Sequence, residues 1–101
     1  MSRRGSPQKV LKLYYVYVIE SSQSDIFYKG STSDYLTRLR EHNDNINEFT
    51  KGKGPWTLIF VQEFETKKEA LVREKKLKRC NKEYIRWLID QPVNILNRLD
   101  R

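Results

Sequence analysis

The 101-residue sequence predicts one small domain of mixed α/β (α+β) class, with elements in the order β-β-α-β-α-α. Three observations lead there. Two short runs of β-branched and aromatic residues stand on either side of a polar turn near the start. A stretch with helical apolar periodicity follows them. A third apolar run then precedes two segments that open on helix-capping residues.

Residues 1–12 form a basic leader expected to be disordered, residues 13–91 the domain, and residues 92–101 a C-terminal tail. Residues 13–19 (LYYVYVI) read as a buried strand, and residues 26–30 (IFYKG) as a second one. The intervening SSQSD is a turn, so the pair is expected to be an antiparallel hairpin with a five-residue loop. Tyr17 then shares a sheet face with Leu13, Tyr15 and Ile19. Ser31, Thr32 and Ser33 offer N-cap oxygens to the next helix, and Asp34 suits its positive end. Tyr35, Leu39, His42 and Ile46 form its inward stripe, with Arg38 at the border between core and solvent. Residues 50–55 are a basic loop, and residues 56–64 (WTLIFVQEF) a third strand. Thr66 and Glu69 form a capping box that opens a second helix, on which Ala70, Leu71 and Leu77 mark the inward face. Asn81 and Glu83 open a third, ending near Asp90 ahead of Pro92.

Composition narrows the function classes. Charged residues make up 33% and no apolar run nears the roughly 20 residues that span a bilayer, so a soluble protein is expected. The start lacks the apolar core of a secretory signal, and the lone Cys80 fits a reducing compartment, which together predict a cytoplasmic location. With one His (His42) beside that cysteine, a structural zinc site cannot be assembled. Net charge is +7, concentrated in the leader and in residues 66–90, as a polyanion partner requires and as solubilising charge also explains.

Glu74 projects from the middle of the inward face of the second helix. A carboxylate there must be paired, protonated or bound to a cation, because an uncompensated buried charge costs several kcal/mol or more. An ion pair with Arg38, Lys78 or another lysine of its own helix is one solution, and ligation of Mg²⁺ is the other. Tyr17 and Tyr28 suit strand packing, and they also suit proton transfer if a nearby cation lowers their pKa from about 10. Arg38 is either a solvated helix residue or a guanidinium for a phosphate oxygen. His42 is either a core-edge histidine or the partner of a tyrosine hydroxyl. Gly30 either allows a close approach of backbone to ligand or ends its strand.

Taken in order, Tyr15-Val16-Tyr17, Tyr28-Lys29-Gly30, Arg38, His42 and Glu74 within Arg73-Glu74-Lys75-Lys76-Leu77-Lys78 closely resemble the GIY-YIG endonuclease superfamily. The likeness is to its small stand-alone bacterial members, related to the N-terminal nuclease domain of UvrC, and runs from about residue 13 to residue 89. Tyr15 and Val16 replace the first motif's Gly and Ile, and Lys29 replaces the second motif's Ile. The resemblance implies a mainly antiparallel three-stranded sheet flanked by helices. It also implies divalent-metal-dependent hydrolysis of DNA, with Mg²⁺ or Mn²⁺ on Glu74 and with Tyr17, Tyr28, Arg38 and His42 as catalytic residues. Branched, damaged and single-stranded substrates all stay open, as does RNA, and a repair or processing role is expected. The alternative is a non-catalytic nucleic-acid-binding module on the same fold. Lys29, Arg40, Lys51, Lys53, Lys75 and Lys78 are the expected backbone contacts, no aromatic platform for unpaired bases is visible, and the protein is expected to be a monomer or weak dimer.

Overall fold

The computed structural model describes residues 12–98. The leader up to residue 11 and the last three residues of the tail lie outside the described residues. Strands β1 (Tyr14–Ser21) and β2 (Phe27–Thr32) are followed by helix α1 (Tyr35–Asn43), strand β3 (Trp56–Phe64), helices α2 (Lys67–Lys78) and α3 (Lys82–Ile89), and a 3₁₀ turn (Ile95–Asn97). This is the expected order, with the 3₁₀ turn added.

The three strands form one antiparallel sheet in the order β2-β1-β3. β1 takes the centre because its sequence is apolar on both faces. Val16 and Val18 point to one side, where Phe60, Ala70, Leu77, Ile85 and Leu88 close a core beneath α2 and α3. Tyr17 and Ile19 point to the other, packed with Trp56, Val61 and Ile95 and flanked by Tyr35 and Leu39 of α1. A strand covered on both faces loses the in-out alternation of a half-exposed one, which is why residues 13–19 are continuously apolar. Each large apolar side chain fully buried here contributes about 1.5–3 kcal/mol. Among the described residues, no helix is long and apolar enough to cross a membrane.

The hairpin has the expected five-residue loop. Ser21 organises it, its hydroxyl accepting from the Gln23 and Ser24 N–H groups while its own N–H donates to the Ile26 carbonyl. Ile26 therefore belongs to the loop, and β2 continues past Gly30 to Thr32. The N-cap of α1 is Asp34 itself, which accepts from the Thr37 N–H at 3.1 Å.

Two apolar assignments change. Helix α1 ends in a Schellman motif: Asn45 takes a positive φ of 62°, Ile46 N–H donates to the Glu41 carbonyl, and Asn45 N–H to that of His42. Ile46 consequently leaves the stripe and is 66% exposed. Leu71 lies about 100° round α2 from Ala70 and is 42% exposed, so the inward face is narrower than its apolar residues suggest. The Thr66 cap is present, its hydroxyl oxygen accepting from the Glu69 N–H and donating to the Glu69 carboxylate.

Beyond α3, Asn94 is 1% exposed and ties this segment to the outer edge of β3. Its carbonyl oxygen accepts from the Val61 N–H, and its amide donates to the Ile59 and Ile89 carbonyls. Ile59 sits at a bulge against Val18 and Ile19. One sheet edge is thus covered, while β2 forms the other.

Candidate active site

Tyr17 lies opposite Gly30 in the β1–β2 pairing. A Cβ on Gly30 would stand 2.7 Å from the Tyr17 hydroxyl oxygen and 2.8 Å from the ring. The glycine therefore neither ends the strand nor bares the backbone. It provides the gap through which the Tyr17 ring crosses β2.

At the end of that ring the hydroxyl meets His42 Nε2 at 2.9 Å, and His42 Nδ1 lies 2.7 Å from Thr50 Oγ1. All three side chains are buried. Tyr28 completes the cluster, its ring centroid 4.8 Å from that of His42 and 6.3 Å from that of Tyr17. Helix periodicity places His42 on the inner face of α1, one turn beyond Arg38. Thr50 comes from the α1–β3 loop, anchored because its carbonyl accepts from the Lys53 N–H and the Trp56 indole. Nothing in the sequence marks Thr50 except a small hydroxyl residue amid a basic loop.

Burial pushes the Tyr17 phenol well above its ordinary value; Tyr28 and Glu74 add to this, and Arg38 opposes it. The neighbouring cation Arg38 does act to make Tyr17 more acidic, but burial outweighs it. His42 is held below its usual 6.5, first by burial and then by the Arg38 charge, against a smaller opposing effect of Glu41. A neutral imidazole against a protonated phenol is the resting state at neutral pH.

Glu74 reaches the site from the opposite sheet face. Its Oε1 accepts from the Ser31 hydroxyl at 2.7 Å and its Oε2 pairs with Lys78 Nζ at 2.9 Å, leaving the side chain 16% exposed. Of the ion pairs considered for this carboxylate, Lys78 is realised, whereas Arg38 pairs with Glu41 at 3.7 Å. The hydrogen bond to Glu74 in turn raises the Lys78 pKa. Lys78 is 57% exposed and the pair is i,i+4, a class worth about 0.3–0.5 kcal/mol, so it holds Glu74 only weakly.

Arg38 lines a polar cavity of about 310 Å³ with Lys12, Lys67, Ser31, Thr32 and Ser33. Lys12 and Lys67 were not among the expected phosphate contacts. Of those that were, Lys29 and Lys78 line a cleft of about 320 Å³ with Phe27, Tyr28 and Phe49. The fold thus assembles an aromatic surface that the sequence did not reveal, because its residues come from β2 and a distant loop. Lys53 donates to the Phe49 carbonyl at 2.9 Å beside it. Lys75 lies on the outward side of α2 with Lys68 and Leu71, Arg40 donates to the Thr37 hydroxyl, and Lys51 is exposed in the loop. These three do not join the cluster. Among the described residues, no three His, Cys, Asp or Glu side chains converge as a metal cage.

The profile of the GIY-YIG catalytic domain matches residues 13–86. The chain is similar to a UPF0213 protein of Haloquadratum walsbyi, 34% identical over 81% of this chain and 92% of that one. A UPF0213 protein of Halobacterium salinarum is 40% identical over 69% of this chain and 91% of its own length. Among solved structures, the solution NMR structure of a UPF0213 protein from Bacillus halodurans shares 27% identity at a TM-score of 0.51, covering 80% of this chain and 86% of that one.

Proposed function

The chain belongs to the GIY-YIG catalytic domain family, and on that premise we propose that it is a divalent-metal-dependent DNA endonuclease acting in the processing or repair of DNA. The observation that carries this reading is the buried Tyr17–His42–Thr50 chain of hydrogen bonds, which Arg38 and Glu74 both influence electrostatically.

Tyr17 takes the proton of the attacking water and passes its own to His42. In the tautomer with Nδ1–H donating to Thr50, the imidazole Nε2 accepts from the Tyr17 hydroxyl, as this transfer requires. A high phenol pKa then matters less, because phenolate never accumulates. Proton loss to His42 and proton gain from water occur together. Tyr28 packs against both rings and holds their mutual orientation, and Arg38 offsets charge on a non-bridging oxygen as it develops.

Glu74 and Ser31 are the residues that would hold Mg²⁺ or Mn²⁺. One carboxylate suits a hard cation that completes its shell with water and phosphate oxygens, and a weak exposed pair with Lys78 is readily given up. Bound there, the cation supplies Lewis acidity at the phosphoryl group and stabilises the departing oxygen.

DNA cleavage by the purified protein with Mg²⁺ or Mn²⁺ tests the proposal. Tyr17→Phe and Glu74→Gln are each expected to lower the rate by roughly 10²–10⁴-fold while retaining the native circular dichroism spectrum. Undiminished cleavage by Glu74→Gln would overturn the mechanism. The Glu74–Lys78 pair favours a second reading, a binding module with a silenced site. Steeply salt-dependent DNA binding with no cleavage under either metal would select it.

A further inference from the structure

Among the described residues Phe49 is the most exposed large apolar side chain, at 75%. Burying such a ring would contribute about 1.5–3 kcal/mol, so its position calls for a cause. Neighbouring backbone fixes it. Its N–H donates to Asn47 Oδ1 at 2.8 Å, its carbonyl accepts from Lys53 Nζ, and the next residue, Thr50, is buried against His42. Turning Phe49 inward would draw Thr50 away from the imidazole. The ring is held outward by the same loop that completes the catalytic cluster.

Phe49 stands over a cleft at the free edge of β2 with Phe27, Tyr28, Lys29 and Lys78. The exposed Phe49 ring, the Tyr28 ring and two ammonium groups match one kind of chemistry, a planar heterocycle with phosphate on either side of it. The Phe27 ring packs into the core under Arg86 and forms the floor of the edge. Two residues join the cleft to the active site: Tyr28 packs on His42, and Lys78 pairs with Glu74. The Ser31–Glu74 hydrogen bond continues this line to the cationic cavity of Lys12, Arg38 and Lys67, which offers a place for a further phosphate.

We infer that this cleft receives an unpaired nucleobase adjoining the cleaved phosphate, so that the substrate is single-stranded DNA or a single-stranded segment within a larger DNA. The inference rests on the endonuclease reading for what is cleaved, but the cleft itself is tested by binding alone. A base within a duplex has both faces covered by its stacked neighbours and cannot present one to Phe49.

Binding is measured by fluorescence anisotropy in chelator, with a labelled single strand and a blunt duplex of the same sequence. A second single strand carries 2-aminopurine, whose emission is quenched by aromatic stacking. The single strand is expected to bind more tightly than the duplex. Phe49→Ala should weaken it roughly tenfold and relieve the quenching, leaving duplex binding unchanged. Phe49→Trp should restore both signals, and Phe49→Leu neither. Wild-type single-strand affinity in Phe49→Ala, or in Phe49→Leu, would overturn the inference. So would a dimer that Phe49→Ala converts to monomer by sedimentation, because a second copy would then cover the cleft. Stacking without cleavage in Mg²⁺ or Mn²⁺ supports the cleft and defeats the nuclease reading. Equal cleavage of duplex and single strand, unaffected by Phe49→Ala, does the opposite.

Discussion

Gly30 shows how much of the site depends on an absent atom. The nearest atoms to an added Cβ belong to the Tyr17 ring, which is itself enclosed and has no slack to retreat. Gly30→Ala is therefore expected to cost about 1–3 kcal/mol by overpacking, read as a lower urea midpoint. It should also lower cleavage at least tenfold by breaking the 2.9 Å contact of Tyr17 with His42. A larger fall in stability with normal cleavage by the folded fraction would contradict that role. His42 makes a second prediction at this scale. Its folded pKa lies below the unfolded value of about 6.5, so the unfolded chain binds the proton more readily. The stability contributed by neutral His42 is present above pH 6.5 and is lost as pH falls from there through the folded pKa. Cleavage should fall on the same acid limb, since protonated His42 cannot accept from Tyr17, and His42→Gln should remove that limb from the residual activity. The tyrosines, Arg38, His42 and Glu74 could be recognised in the sequence as candidates because their spacing is local to each element. Thr50 and Ser31 could not, since a hydroxyl carries no signal until its partner is placed.

Elements differ in how openly their sequences declare them. Strand β3 has the predicted bounds, Trp56–Phe64, because a charged or capping residue follows an apolar run of strand length. Helix α1 ends earlier than its periodicity implies: the apolar residue Ile46 fits the period, and only the left-handed Asn45 shows that the chain has already turned. In helix α2 the capping residue Thr66 caps as its sequence implies, yet Leu71 lies outside the inward face. Periodicity locates a stripe but not its width, which depends on how closely the sheet approaches. The segment after α3 is too short for periodicity to place it, but Ile95 packs into the core and Asn94 binds it to β3 through several hydrogen bonds. Asn94→Ala would take the acceptor from the Val61 and Leu96 N–H groups and the amide donor from the Ile59 carbonyl, while the Ile89 carbonyl keeps its bond from Asn97. A loss of about 2–3 kcal/mol is expected from chemical denaturation, with the slope unchanged. On the proposed mechanism, specific cleavage activity of the folded protein should be retained, because Asn94 lies at the covered edge of the sheet and the Tyr17–His42 cluster lies toward β2.

On the scale of the whole molecule, charge and layering act together. The net charge of +7 is not spread evenly over the fold. Lys12, Arg38 and Lys67 meet in one cavity, although they are far apart in the chain. For single-stranded DNA each neutralised phosphate contributes roughly 0.7 to the slope of log affinity against log salt. Lys67→Ala is expected to flatten that slope by about this amount and to weaken all sequences alike. An unchanged slope would remove Lys67 from the phosphate path. The layering sets where such a path would run. Tyr17, Tyr28 and His42 belong to one side of the sheet and Glu74 to the other, so on the proposed mechanism a phosphate served by both would lie near the edge strand that separates them.

Read alone, the sequence determined the order of the elements, the family and the candidate residues, because capping, periodicity and motif spacing are short-range properties written in neighbouring residues. The tertiary structure decided which of those residues meet. It set Tyr17 across Gly30, buried its phenol against His42 so that its pKa rises, and chose Lys78 as the partner of Glu74. It also exposed Phe49 beside Tyr28. Each of these depends on contacts between distant segments and on the burial they create, and neither property exists until the three layers have packed.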